Sequence, residues 1–411
     1  MRSERPACRL RHGSKISRRL WKNFLTALLA APSSTRSFIL VSAVLVSSVC
    51  ATQAQTDKVL YSFAGNPDGA TPYASLVRDK HGDFYGTTTA GGTFGYGTVF
   101  KVTKKGKETV LHSFAGGTDG AVPYDSLILD KYGNLYGTTS AGGAFNSGTV
   151  FEISSSLTES VLYAFTAGPD GTSPYGSLVF DRHGNLYGAA AGGTLGYGFV
   201  FKLSPSHTET VLYSFTGADG NGPSSGLIID SKGNLYGTTH GGGDWGYGTV
   251  FEVTASGSET VLHSFAGDVN DGGYPGFGSL AGDAGGSMYG TTWQGGQADR
   301  GTVYEVTGSG YETVLISFIM DNGGYTPNGT LIVDGGGNLF GTTIYSYGNG
   351  NCGVAFYLNQ FSETETAYDF GDNPDGCAPY AGMILDAKGN FYGTTSGGGA
   401  YGKGTVFEFT P

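Results

Sequence analysis

GNLYGTTHGGGDWGYGTVFEV, Gly233–Val253, decides what kind of molecule this is. Its middle contains Gly-x-Gly-x-x-Gly, at Gly241, Gly243 and Gly246. In a dinucleotide-binding fold that pattern follows a strand, opens a helix and cradles a pyrophosphate. The flanks here read differently. LYGTT before it and TVFEV after it are both short, β-branched and aromatic, the composition of strands. No helix pattern follows, so the phosphate-loop reading fails and no nucleotide is expected. The glycines belong to a loop between two strands, where they let wide loops fold tightly against one another.

The flanks recur. The Tyr-Gly pair returns at Tyr85, Tyr136, Tyr187, Tyr236, Tyr289 and Tyr392, with Phe340 in the same role, at spacings of 51, 51, 49, 53, 51 and 52 residues. Seven copies fill residues 55–411. The third copy reads GSLVFDRHGNLYGAAAGGTLGYGFVFKLSPSHTETVLY, Gly176–Tyr213. Four strand candidates emerge: SLVFD, LYGAA, FVFKL and, closing the unit, TVLYSF. In the turn DRHGN, Asp181 can accept backbone N–H bonds and Gly184 can take a positive φ; Asp130 and Asp230 repeat the device. A four-stranded antiparallel unit of about 50 residues is a propeller blade. The expected fold is therefore all-β, a seven-bladed β-propeller of ~51-residue repeats forming one domain over 55–411.

Strand direction sorts the loops. Strands one and three run one way, two and four the other. The two-to-three loops and the four-to-one linkers then share a face, and both are long; the other face carries short turns. Long loops on a rigid scaffold are where binding sits. The chain enters on a strand-four segment, KVLYSF (Lys58–Phe63), and finishes on a strand three, GTVFEF (Gly404–Phe409). The N-terminal strand should complete the last blade beside Thr405–Phe409 and remove an open seam.

Residues 1–54 are different material. They hold nine Lys/Arg and one acidic residue, Glu4, then the apolar run Ser37–Val49, then small residues. That order is a secretory signal, with cleavage expected after Ala54. The run is too short for a bilayer span of ~20 residues. Cys50 raises a lipoprotein reading, which Val49 before it fits poorly. Without this segment 14 Lys/Arg face 33 Asp/Glu, a net charge near −19. Such a surface repels nucleic acid. The mature chain is expected to be secreted or in a bacterial cell envelope, without a membrane span, as a monomer.

The GNLYGTT and YGTVFEV segments, repeated over nearly all of 58–410, resemble the GloVer (Gloeo/Verruco) repeat family. The resemblance implies an exported, tandem-repeat protein. It carries no common chemistry.

Several side chains merit attention. Each four-to-one linker carries an aspartate at a turn: Asp68, Asp119, Asp170, Asp219, Asp271, Asp321 and Asp375. Their oxygens could hold Ca²⁺; turn-building alone also accounts for them. Otherwise no cofactor is expected. Cys352 and Cys377 fall on one face of adjacent blades, and a disulfide is expected in an oxidising compartment. Trp245 and Trp293, flanked by His240, Asp244, Gln294, Asp299 and Arg300, could form an aromatic platform for sugar rings. In the alternative reading, the loop aromatics wedge neighbouring blades together. His112 and His263 fall in strand four. The His-Glu-x-x-His pattern is absent, and carboxylates that recur in every repeat argue for structure. The expected function is non-catalytic binding of carbohydrate or an envelope or extracellular protein through the long-loop face. The rivals are a polysaccharide hydrolase or lyase, which needs an asymmetric carboxylate cluster in the central mouth, and a purely structural surface protein.

Overall fold

The computed structural model describes residues 56–320, 323–359, 364–371 and 373–410. The signal region, Cys50 and Asp321 lie outside them. Thr56–Pro411 forms one compact unit. Among the described residues no helix is long and apolar enough to cross a membrane.

Seven antiparallel sheets make seven blades. Blade one runs Val77–Arg78, Phe84–Thr88, Thr98–Val102 and Glu108–Ser113. Blade seven runs Ile384–Leu385, Phe391–Thr395 and Thr405–Thr410, and its fourth strand is Thr56–Ser62 from the other end of the chain. Lys58 sits opposite Glu408 and Ser62 opposite Thr405, so the N-terminal strand closes the ring where the sequence placed it.

The short turns form as their residues require. In blade three Asp181 Oδ1 accepts the His183 and Asn185 N–H groups at 2.8 and 2.9 Å. Gly184 adopts φ 83°. The innermost strand is shorter than the sequence suggested: of SLVFD only Val179–Phe180 pair with strand two. Near the axis the blades crowd, and the preceding residues bond sideways. Thus Ser75 N–H donates to Ser126 Oγ of the next blade at 3.0 Å, and Ser177 and Ser279, from blades three and five, meet at 3.3 Å over Gly226 of blade four.

The core lies between blades rather than within them. Each strand four is followed by a Phe that packs edge-on against the central aromatic of the next blade's strand three. Phe63–Phe100, Phe114–Phe151, Phe215–Phe251, Phe265–Tyr304 and Phe370–Phe407 have ring centroids 4.9–5.1 Å apart. Phe165–Phe201 and Phe318–Phe356 complete the seven. Seven such layers make a sevenfold core of the same edge-to-face contact.

Seven backbone hydrogen bonds stitch the long-loop face. In each, a linker N–H donates to a carbonyl of the preceding blade's two-to-three loop: Val122 to Tyr96, Ser173 to Ser147, Gly222 to Tyr197, Tyr274 to Tyr247, Thr326 to Arg300, Ala378 to Cys352 and Thr71 to Lys403, all at 2.8–2.9 Å. These bonds put the two kinds of loop on one face. At the blade six–seven joint Cys352 and Cys377 are disulfide-bonded, with Cα atoms 4.4 Å apart.

The glycines of the opening motif now have a role. Gly248 has φ 97°, and a Cβ there would lie 2.3 Å from Thr239 O and 2.6 Å from Pro275 Cδ of the next blade. The loop turns back under its neighbour at that point, and only a residue without a side chain fits.

Candidate functional site

Strand one of each blade starts on the long-loop face, just after the linker proline. The residue following that proline is Tyr73, Tyr124, Tyr175 and Tyr380 in blades one, two, three and seven; Phe277 fills the place in blade five. These side chains therefore converge on the axis. Tyr73 stacks on Tyr124 at 5.1 Å and meets Tyr380 edge-on at 4.8 Å. Tyr124 reaches Phe277, across the axis, at 6.2 Å. Together they form an aromatic plug that lines a small axial cavity.

From this plug an aromatic chain runs outward in two directions. One arm goes from Phe277 to Trp293 at 5.0 Å and to His240, which stacks on Phe277 at 5.6 Å. Trp293 Nε1–H donates to Asn328 Oδ1 at 2.6 Å, and Asn328 Nδ2–H donates to Tyr380 O at 2.9 Å. Burial holds the His240 imidazole below its ordinary pKa. The other arm starts at Tyr345, a neighbour of Tyr380, and runs through Tyr325 to Tyr347, with centroid separations of 5.3 and 5.0 Å. The Arg300 guanidinium lies over Tyr325 at 4.9 Å. The result is an asymmetric crescent of rings round the mouth.

Beneath the plug Asp125 is the one carboxylate among the residues lining the axial cavity. Its six repeat equivalents are Ala, Gly or Ser. Burial pushes its carboxyl up to about 6, against the N–H of Ser126 that it accepts at 2.6 Å.

The predicted binding residues divide among separate surroundings. His240 and Trp293 meet at 5.3 Å in the crescent. Arg300 joins its other arm. Asp299 accepts the Gly295 N–H at 2.9 Å and shapes its own loop. Asp244 and Gln294 are exposed, and Asp244 N–H donates to Ser264 Oγ at 2.7 Å. Trp245 stands at a loop tip, 65% exposed, with Phe94, Phe145, Leu195 and Tyr401 at the same height. These tips do not wedge the blades. That task falls two residues later, where the rings of Tyr96, Tyr197 and Tyr247 lie against Gly116, Gly217 and Gly267 of the following linker. The sequence reading passed over the tyrosines after the linker proline, although the recurring Pro-Tyr-x-Ser-Leu was a visible signal.

The linker aspartates sit at the outer rim. Asp68 accepts the Tyr61 hydroxyl and the Ala64 and Gly69 N–H groups at 2.9, 2.8 and 2.6 Å. Tyr163 donates likewise to Asp170 at 2.8 Å, as do Tyr213 to Asp219 and Tyr368 to Asp375. His112 and His263 replace the tyrosine beside Asp119 and Asp271. A glutamate from the next blade's outer strand faces each of the first five joints: Glu108, Glu159, Glu209, Glu259 and Glu312. Its Oε1 is buried with no hydrogen-bond partner in all five.

In the three tyrosine joints burial, and then the neighbouring aspartate, raise Glu108, Glu209 and Glu259 from 4.5 to about 7. A carboxyl raised on folding stabilises fully below its unfolded value, and that contribution is lost as pH rises through about 7. The turn aspartates act oppositely: Asp181 is lowered from 3.8 to about 2, so its contribution is lost as pH falls through that range. Thermal stability measured in chelator should therefore peak near about pH 5 and fall by about pH 8. Replacing the three glutamates by Gln should flatten the fall. A melting temperature that rises from pH 5 to pH 8 would contradict these assignments.

Two solved structures similar to this chain are surface proteins. The extracellular domain of a putative hybrid two-component system from B. thetaiotaomicron is 12% identical, with a TM-score of 0.55, over 86% of this chain and 39% of that one. PorZ, an essential bacterial surface component of the type-IX secretion system of Porphyromonas gingivalis, is 17% identical, with a TM-score of 0.55, over 85% and 47%. The chain spans less than half the length of either, and at such identity the likeness establishes the fold alone. No curated protein matches. The repeat itself does: it covers residues 45–246 and 224–411, and the chain belongs to the Gloeobacter/Verrucomicrobia repeat family.

Proposed function

We propose that this is an exported, non-catalytic binding propeller that holds a carbohydrate chain across the aromatic crescent of its long-loop face. The crescent carries the reading. Half-buried rings with open edges offer flat apolar faces to sugar C–H surface, and Tyr hydroxyls and Asn328 supply polar partners. Tyr347, at the outer end of one arm, and Tyr175, edge-on to Tyr124 at 5.8 Å, remain 41% and 37% exposed. Among the described residues that line the axial cavity Asp125 is the one carboxylate, whereas glycoside hydrolysis uses a flanking pair. The disulfide fits an oxidising compartment outside the cytoplasm, as do the surface neighbours of the same fold.

A glycan and polysaccharide array tests this. Trp293→Ala and Tyr325→Ala should each weaken binding at least about tenfold, ~1.4 kcal/mol, while Trp245→Ala changes little. Binding that survives both mouth substitutions and falls with Trp245→Ala would move the site to the exposed loop tips. No binding to any glycan, with capture of an envelope protein that depends on Phe94, Phe145 and Trp245, would favour a protein partner there.

A further inference from the structure

We propose that the two histidine joints, His112–Asp119–Glu159 and His263–Asp271–Glu312, are binding sites for a divalent transition metal such as Zn²⁺. Each set brings three ligand atoms within 4.8 Å of one another. Around a first-row ion, ligands at about 2.0–2.2 Å in a tetrahedral arrangement stand roughly 3.3 Å apart. His112 Nε2 lies 3.0 Å from Asp119 Oδ1. His263 Nε2 lies 3.3 Å from both carboxylate oxygens of Asp271. Two of the three vertices are thus already at ligand spacing.

The histidine–aspartate contact alone would explain those two residues. It leaves the third unexplained, since Glu159 and Glu312 each bring a buried Oε1 with no hydrogen-bond partner to the same place. The tyrosine joints hold the same glutamate, but there a phenol, protonated at neutral pH, stands where the imidazole stands here. A neutral imidazole offers a lone pair to a metal. Imidazole with two carboxylates suits Zn²⁺, Ni²⁺ or Cu²⁺, whereas Ca²⁺ and Mg²⁺ prefer all-oxygen shells. The pairs His112/Asp119 and His263/Asp271 keep 14–21% side-chain exposure, which leaves an entry path from solvent.

The ligands of each site come from two blades and the linker between them. The metal would clip outer strand to outer strand, at the blade one–two and four–five joints. Unlike a mouth ligand, it would act on the ring's stability.

The test uses the tag-free full chain, stripped with chelator and titrated with ZnCl₂ at neutral pH. Calorimetry and bound-metal analysis should give two zinc ions per chain, one for each cluster, with Kd below about 10 µM. The melting temperature should rise with zinc but not with CaCl₂ or MgCl₂. His112→Tyr and His263→Tyr install the residue that four other joints already carry, so folding is preserved. Each single change should remove one ion, and the pair should remove both along with the thermal shift. Zinc binding that persists in the double variant, or no binding to the unaltered chain, would overturn the proposal.

Discussion

A chain lacking Thr56–Phe63 should lose its cooperative melting transition. That strand supplies six ladder pairs to Thr405–Thr410. It also buries Leu60 and Phe63 in a cluster with Leu76, Phe84, Phe100 and Val406. Burying two such side chains contributes about 3–6 kcal/mol before any hydrogen bond is counted. A domain of ordinary stability has only about 5–15 kcal/mol in total. The deletion also leaves Thr405–Thr410 as an open edge and Phe100 without its edge-to-face partner. Circular dichroism melts should show a transition at least about 10 °C lower, or none, and the variant should bind hydrophobic dyes. An unchanged melt would mean that the ring holds without its closing strand.

Gly248→Ala should be nearly as damaging, and Gly246→Ala, two residues away, should not. Both glycines have positive φ, 97° and 83°. That alone costs a non-glycine residue about 1 kcal/mol. At Gly246 nothing lies within 4 Å of an added Cβ. At Gly248 the Cβ would meet the Thr239 carbonyl and the Pro275 ring, which belong to two different blades. Neither atom is the end of a flexible side chain, so the joint must open, and overpacking costs a further 1–3 kcal/mol or so. Chemical denaturation should give a loss of about 1 kcal/mol for Gly246→Ala and about 3 or more for Gly248→Ala. Equal losses would show that conformation alone, not the approach of the blades, accounts for the glycine.

Much of the architecture was legible because the chain repeats itself. Seven copies of one unit align against each other, so the Tyr-Gly spacing gave the blade number, and the out-of-phase ends, Lys58–Phe63 and Gly404–Phe409, gave the closure. Cys352 and Cys377 could be paired because strand direction alone assigns loops to faces. The innermost strands were overestimated, since SLVFD looks like a strand whether its backbone bonds to its own blade or to the next. The candidate site was legible only in part. Trp293 and His240 stood out, but Phe277, Tyr325 and Asp125 did not, because nothing local states which linker residues turn towards the axis. Trp245 and Tyr247 show the same limit: two residues apart on one loop, one points to solvent and the other lies on Gly267. The rim joints escaped notice for a different reason. His112 and Asp119 are near in sequence, but Glu159 arrives from the next repeat.

The closing strand has a kinetic consequence. It is synthesised first and used last: Ser62 Oγ accepts the Ala400 N–H across 338 residues of sequence. Until blade seven emerges, the strand has no partner, while six of the seven blades can already assemble on one another as neighbours. Such long-range closure makes the final folding step slow. Meanwhile an unpaired, half-apolar segment sits at one end of a horseshoe whose other end is equally bare, and the two could join between molecules as readily as within one. Dilution should therefore favour closed monomers, and crowded refolding should yield chains that have exchanged their first strands.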